Sequence, residues 1–129
     1  MRWLKDILKN KTVVLDANAI LRYLLKDIEE QYNEMCDLIA SEKCVVYLEV
    51  VEEVVFVLQK QYNVEREEIK DSFIELMRDI DFDKPDILLI ALNEYCSPPK
   101  LDFVDCLLCG YSKTGRKVFS FDKKLNKKL

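Results

Sequence analysis

The chain is expected to fold as a single α/β domain over residues 1–129, with helices packed on a mostly parallel sheet. Three observations predict this. Short β-branched runs alternate with longer segments whose apolar residues recur at helical spacing, so successive strands are joined by helices that cross back over the sheet. Only two glycines and three prolines are present while 34% of the residues are charged, which disfavours both a turn-dense all-β sandwich and a disordered chain. Half of the 129 residues are hydrophobic, enough for one sizeable core and too few for two.

Taken in order, residues 1–10 place Trp3, Leu4, Ile7 and Leu8 at helical spacing among lysines, the pattern of a short amphipathic helix. Residues 12–16 are a β-branched run ending at Asp16, a buried strand. A helix is expected from about Asn18 and a second from about Ile28. Cys44 to Tyr47 is the next strand, followed by helices over 49–62 and 65–79 and a short edge strand over 81–83. Pro85 suits the first turn of a helix over 85–95, and Ser97-Pro98-Pro99-Lys100 breaks the chain. Asp102 then stands where an N-cap belongs, with Asp105 three residues on at capping-box spacing. The helix it opens runs to Gly115, and Lys117 to Phe121 is the last strand.

Composition excludes several activities. The chain has no histidine, so Ser-His and Cys-His nucleophiles, histidine-based ribonuclease chemistry and histidine-ligated zinc are impossible. Two glycines cannot build a phosphate loop or a dinucleotide fingerprint. Cys106-Leu107-Leu108-Cys109 has a C-x-x-C form but lacks a second pair, and reads as small apolar core residues. An odd count of five cysteines and no recognisable secretory signal point to a reducing cytoplasm. No apolar run approaches the ~20 residues that span a bilayer, so no membrane role is expected.

The net charge of −4 argues against a basic nucleic-acid coat. The C-terminal end is nevertheless basic, and Lys113, Arg116, Lys123 and Lys124 are candidate phosphate contacts, with a solvated lysine face as the alternative reading.

Four carboxylates stand in apolar surroundings: Asp16 closing a strand, Glu53 within Val50–Leu58, Asp105 within Phe103–Cys109, and Asp122 after Val118-Phe119-Ser120-Phe121. Taken singly, each has a structural explanation as cap or surface residue. On a helical wheel Glu53 borders the apolar arc of its helix while Glu52 lies farther out, a small preference. In open parallel sheets ligands collect beyond the carboxyl ends of the strands, where Asp16 and Asp122 are expected. Carboxylates converging to about 5 Å would repel by roughly 3 kcal/mol per pair at an effective dielectric of 20. A divalent cation relieves that repulsion, and an all-oxygen donor set suits Mg²⁺ or Mn²⁺ rather than zinc. Metal-assisted phosphodiester hydrolysis is the chemistry that survives these exclusions.

The segments Val14-Leu15-Asp16-Ala17-Asn18, Glu53 to Leu58, Leu101-Asp102-Phe103-Val104-Asp105-Cys106-Leu107-Leu108 and Val118-Phe119-Ser120-Phe121-Asp122-Lys123, in this order and spacing, resemble the PIN domain family, in particular VapC-like toxin ribonucleases. The resemblance covers the chain from about Lys11. It implies a three-layer α/β/α sandwich whose central, mostly parallel sheet has four to five strands. It also implies an endoribonuclease that binds Mg²⁺ or Mn²⁺, works as a homodimer and is restrained by a cognate antitoxin protein. By position, Asp16, Glu53, Asp105 and Asp122 would be the metal-binding catalytic acids. Asn18 and Ser120 would support them, and Asp102 would be a further acid near the site. The alternatives are a non-catalytic PIN-like module that binds RNA or protein, and an RNA-processing nuclease without an antitoxin.

Overall fold

The computed structural model describes residues 12–129; the helix expected over 1–10 lies outside the described residues. Within them the sheet has three strands, β1 (Val13–Val14), β2 (Cys44–Val46) and β3 (Asp81–Phe82). They lie in the order β1-β2-β3 and are parallel throughout. Val13 is in register with Cys44 and Val14 with Val45; Val45 then pairs Asp81 and Val46 pairs Phe82. The ladder continues one residue beyond β1, where the Leu15 N–H donates to the Val45 carbonyl at 3.0 Å. All-parallel pairing requires crossovers, and helices supply them.

Helix α1 (Ala17–Leu25) starts where the Asp16 carboxylate accepts the Ala19 N–H at 2.8 Å, one residue earlier than the apolar spacing suggests. It stops at Lys26, whose φ of 54° is left-handed and whose N–H closes on the Arg22 carbonyl. Helix α2 (Glu29–Ser41) buries Met35. Helix α3 (Leu48–Lys60) buries Val51, Val54, Val55 and Leu58, an i, i+3, i+4, i+7 stripe. Each such burial is worth about 1.5–3 kcal/mol before entropic costs. The start of α3 is tied to the end of β3, because Asp83 Oδ1 accepts the Leu48 N–H at 3.1 Å.

Helix α4 (Arg66–Leu76) buries Ile69, Phe73 and Leu76. Helix α5 (Pro85–Tyr95) has its proline in the first turn, as expected. Helix α6 (Phe103–Lys113) buries Phe103, Cys106, Leu107, Cys109 and Gly110. The closest helix pair is α5 with α6, and Gly110 makes it possible: a Cβ there would fall 2.8 Å from the Ile87 carbonyl oxygen. The C-x-x-C cysteines belong to this core. Cys106 and Cys109 are fully buried, and burial pushes the Cys106 thiol up to about 12. Such a thiol is inert.

One expected element is absent. Lys117 to Phe121 is not a strand, and its backbone pairs with no strand of the sheet, so the described residues carry three strands rather than four to five. Its hydrogen bonds are local instead: Asn126 Nδ2 donates to the Ser120 carbonyl at 2.9 Å and the Asp122 N–H donates to Ser120 Oγ at 3.0 Å. Phe119 and Phe121 are 79% and 90% exposed and meet edge to face at 5.1 Å. Aromatic β-propensity reflects packing on a half-buried surface, and among the described residues no such surface covers this segment. A short helix follows, α7 (Lys123–Asn126), which the sequence pattern did not predict.

Candidate functional site

The expected site residues reach their places by different local routes. Asp16 follows β1 at its carboxyl end, exposed, with one oxygen committed to the α1 cap. Asn18 is exposed in the first turn of the same helix. Asp122 is exposed and caps α7, accepting the Leu125 N–H at 3.0 Å. Ser120 bonds the backbone N–H of Asp122 and so helps hold its approach to the helix.

Asp105 is half-buried in the first turn of α6. Burial, then the neighbouring charges of Asp102 and Asp122, push its carboxyl above the ordinary range. These three acids therefore share one electrostatic neighbourhood. Asp102 occupies the N-cap position of α6, but its side chain makes no capping bond.

Glu53 is exposed on α3 and lines a cavity of about 610 Å³ beside Glu49, Glu52 and Phe56, facing Asp102, Phe103 and Val104. The cavity runs along α3 from Glu49 in its first turn to Lys60 at its end. Glu52 lines it as well as Glu53, so the wheel preference for Glu53 does not separate them. Asp102 connects the two groups, as a wall of the cavity on one side and a neighbour of Asp105 on the other. Among the described residues no three His, Cys, Asp or Glu side chains are gathered closely enough to hold an ion by themselves.

The basic candidates divide. Lys113 is ion-paired with Glu94. The Arg116 guanidinium lies 5.2 Å from the Tyr111 ring centroid, and Lys123 and Lys124 are exposed on α7 next to Asp122. Sequence reasoning missed Asp83, Glu94, Lys128 and Arg66. Arg66 donates to the carbonyls of Tyr95 at 2.9 Å and Leu101 at 2.7 Å, pinning both ends of the loop that delivers Asp102. The side-chain hydrogen-bond partners of all four residues lie 19 or more positions away, beyond any local signal.

A short parallel sheet joined by helices, with Asp16 following the carboxyl end of its first strand, defines an α/β domain. The PIN domain family profile matches residues 13–128, and the chain belongs to the PIN domain family. Comparisons with curated proteins and with solved structures returned no match. PIN domains are generally nucleases and typically use divalent metal ions. The expected acids are oxygen-only donors, the class that suits such an ion, and among the described residues they are not gathered around one point. The longest and most apolar helices among the described residues do not reach the length needed to cross a membrane.

Proposed function

We propose that the protein is a Mg²⁺- or Mn²⁺-dependent endoribonuclease of the VapC-like toxin type. The observation that carries the reading is Asp105: a half-buried carboxylate on a PIN domain, pushed above the ordinary range by burial and by the charges of Asp102 and Asp122, an effect that a divalent cation would offset. Asp16, Glu53, Asp105 and Asp122 would hold the ion. When bound, it would activate water for attack on phosphorus and stabilise the leaving oxygen. Arg116, Lys123 and Lys124 would draw the RNA backbone toward the acids, since exposed cations beside the site attract phosphate. Ser120 would keep Asp122 in place through its backbone, and Asn18 and Asp102 would support the approach of substrate.

The α/β/α layering, the homodimer and the restraining antitoxin protein follow from the VapC-like resemblance and belong to this proposal. All five cysteines are free, which supports work in a reducing cytoplasm.

The test is cleavage of a defined RNA by the purified protein with Mn²⁺ or with chelator. The expected outcome is Mn²⁺-dependent cleavage that Asp105→Asn and Asp16→Asn each reduce by more than about tenfold, given that even residues behind metal ligands cost 10–100-fold. Asparagine caps helices as well as aspartate does, so Asp16→Asn should keep the melting temperature while losing activity. RNA binding without cleavage would instead support a non-catalytic module.

A further inference from the structure

Glu94 lies in the last turn of α5 with its side chain only 14% exposed. A carboxylate so placed needs a cation or costs stability, and it has two. One oxygen accepts from Lys113 Nζ and the other from Lys128 Nζ at 2.7 Å. Burial alone would raise this carboxyl; the two ammonium groups outweigh it and hold it below the ordinary glutamate range.

The partners matter because of what they end. Lys113 closes α6, the helix that carries Asp105, and Lys128 lies just past α7, the helix that Asp122 caps. Helix α7 has four residues, too few to hold a helix by its own hydrogen bonds. Its anchors are the buried Leu125 and the 11%-exposed Lys128. The Lys43–Asp81 pair is a useful contrast: it is 3.9 Å long, exposed on both sides and distant in role, the kind of contact that contributes little.

We propose that Glu94 is a positioning residue for the acidic site, one carboxylate that ties the helix bearing Asp105 to the helix capped by Asp122. This rests on the nuclease reading for its functional meaning. It predicts that the separation of these two acids, and with it metal affinity, depends on a charge that touches neither.

The experiment uses the full chain and Lys128→Met, which keeps most of the stem and removes the cation, with Lys128→Arg as the conservative rescue. In metal-free protein, amide exchange of Leu125, whose N–H Asp122 accepts, should quicken by about tenfold or more in Lys128→Met and stay near the parent rate in Lys128→Arg. Mn²⁺ affinity measured by calorimetry should weaken by about tenfold or more. For RNA cleavage, kcat should fall with KM unchanged, while Asp81→Asn alters none of these. A lowered melting temperature with parent-like Leu125 exchange and parent-like Mn²⁺ affinity would make the pair merely a stabilising contact and overturn the proposal. If Lys128→Met does not fold, Glu94→Gln is read by the same measurements. If the parent itself neither binds Mn²⁺ nor cuts RNA, the nuclease reading fails, and Leu125 exchange separately decides whether the pair holds α7.

Discussion

Tyr95 shows how much a single core side chain contributes by shape rather than by polarity. It is fully buried, with the Arg66 guanidinium 4.1 Å from its ring centroid and Phe103 edge-on at 5.6 Å. Among the described residues its hydroxyl has no hydrogen-bond partner, and burial raises its pKa. An unpaired buried hydroxyl costs stability, whereas the ring's contacts with Arg66 and Phe103 survive its removal. Tyr95→Phe should therefore leave the melting temperature unchanged or raise it, by up to about 1 kcal/mol in denaturant titration. A clear loss would show that the hydroxyl is satisfied in solution. At the same scale, Asp105 was legible as a carboxylate inside an apolar run, and the structure gives that position its burial and acidic neighbours. Asp102 takes the N-cap position that its spacing predicts, and it lacks the capping bond because that bond depends on a rotamer that spacing does not determine.

Among the elements, the junction of α5, α6 and α7 has a definite pH signature. Glu94 has a lowered folded pKa, so its contribution is fully present above the ordinary value of 4.5 and is lost as the pH falls through the lower folded value. Lys113 and Lys128 face it. The Cys106 and Cys109 thiols near it stay neutral, since burial raises both. The melting-temperature gap between parent and Glu94→Gln should be largest near neutral pH and shrink on acidification below about 4.5. A gap that persists at low pH would assign the effect to packing. Helix existence at this scale followed from 3.6-residue periodicity, as in the Val51, Val54, Val55, Leu58 stripe. The junction did not, because Glu94 meets partners 19 and 34 residues away.

For the molecule as a whole, the parallel α/β class was legible because buried β-branched runs and amphipathic helices alternate, and Val13–Val14, Cys44–Val46 and Asp81–Phe82 fall where those runs lie. The fourth run misled: Val118-Phe119-Ser120-Phe121 has strand composition, but strand formation needs a neighbouring edge and a covered face, and among the described residues this segment has neither. The site was legible as a set of acids and not as an arrangement. Burial and the charges of Asp102 and Asp122 act on Asp105, and Glu53 and Asp102 line one cavity.

The exposed Phe119 and Phe121 also make the chain cuttable at a defined place. Proteases need extended, accessible backbone, and chymotrypsin, which cleaves after large aromatic residues, meets two such side chains outside any helix or strand. Brief digestion of the native protein should cut here first and produce a fragment beginning near Asp122. Leu125 is buried in the core and Lys128 is paired with Glu94, so the nicked protein should elute whole on gel filtration and separate only under denaturing conditions. The molecule would then behave as a two-piece protein, in which Asp122 arrives on a separate peptide that can be exchanged for a synthetic one.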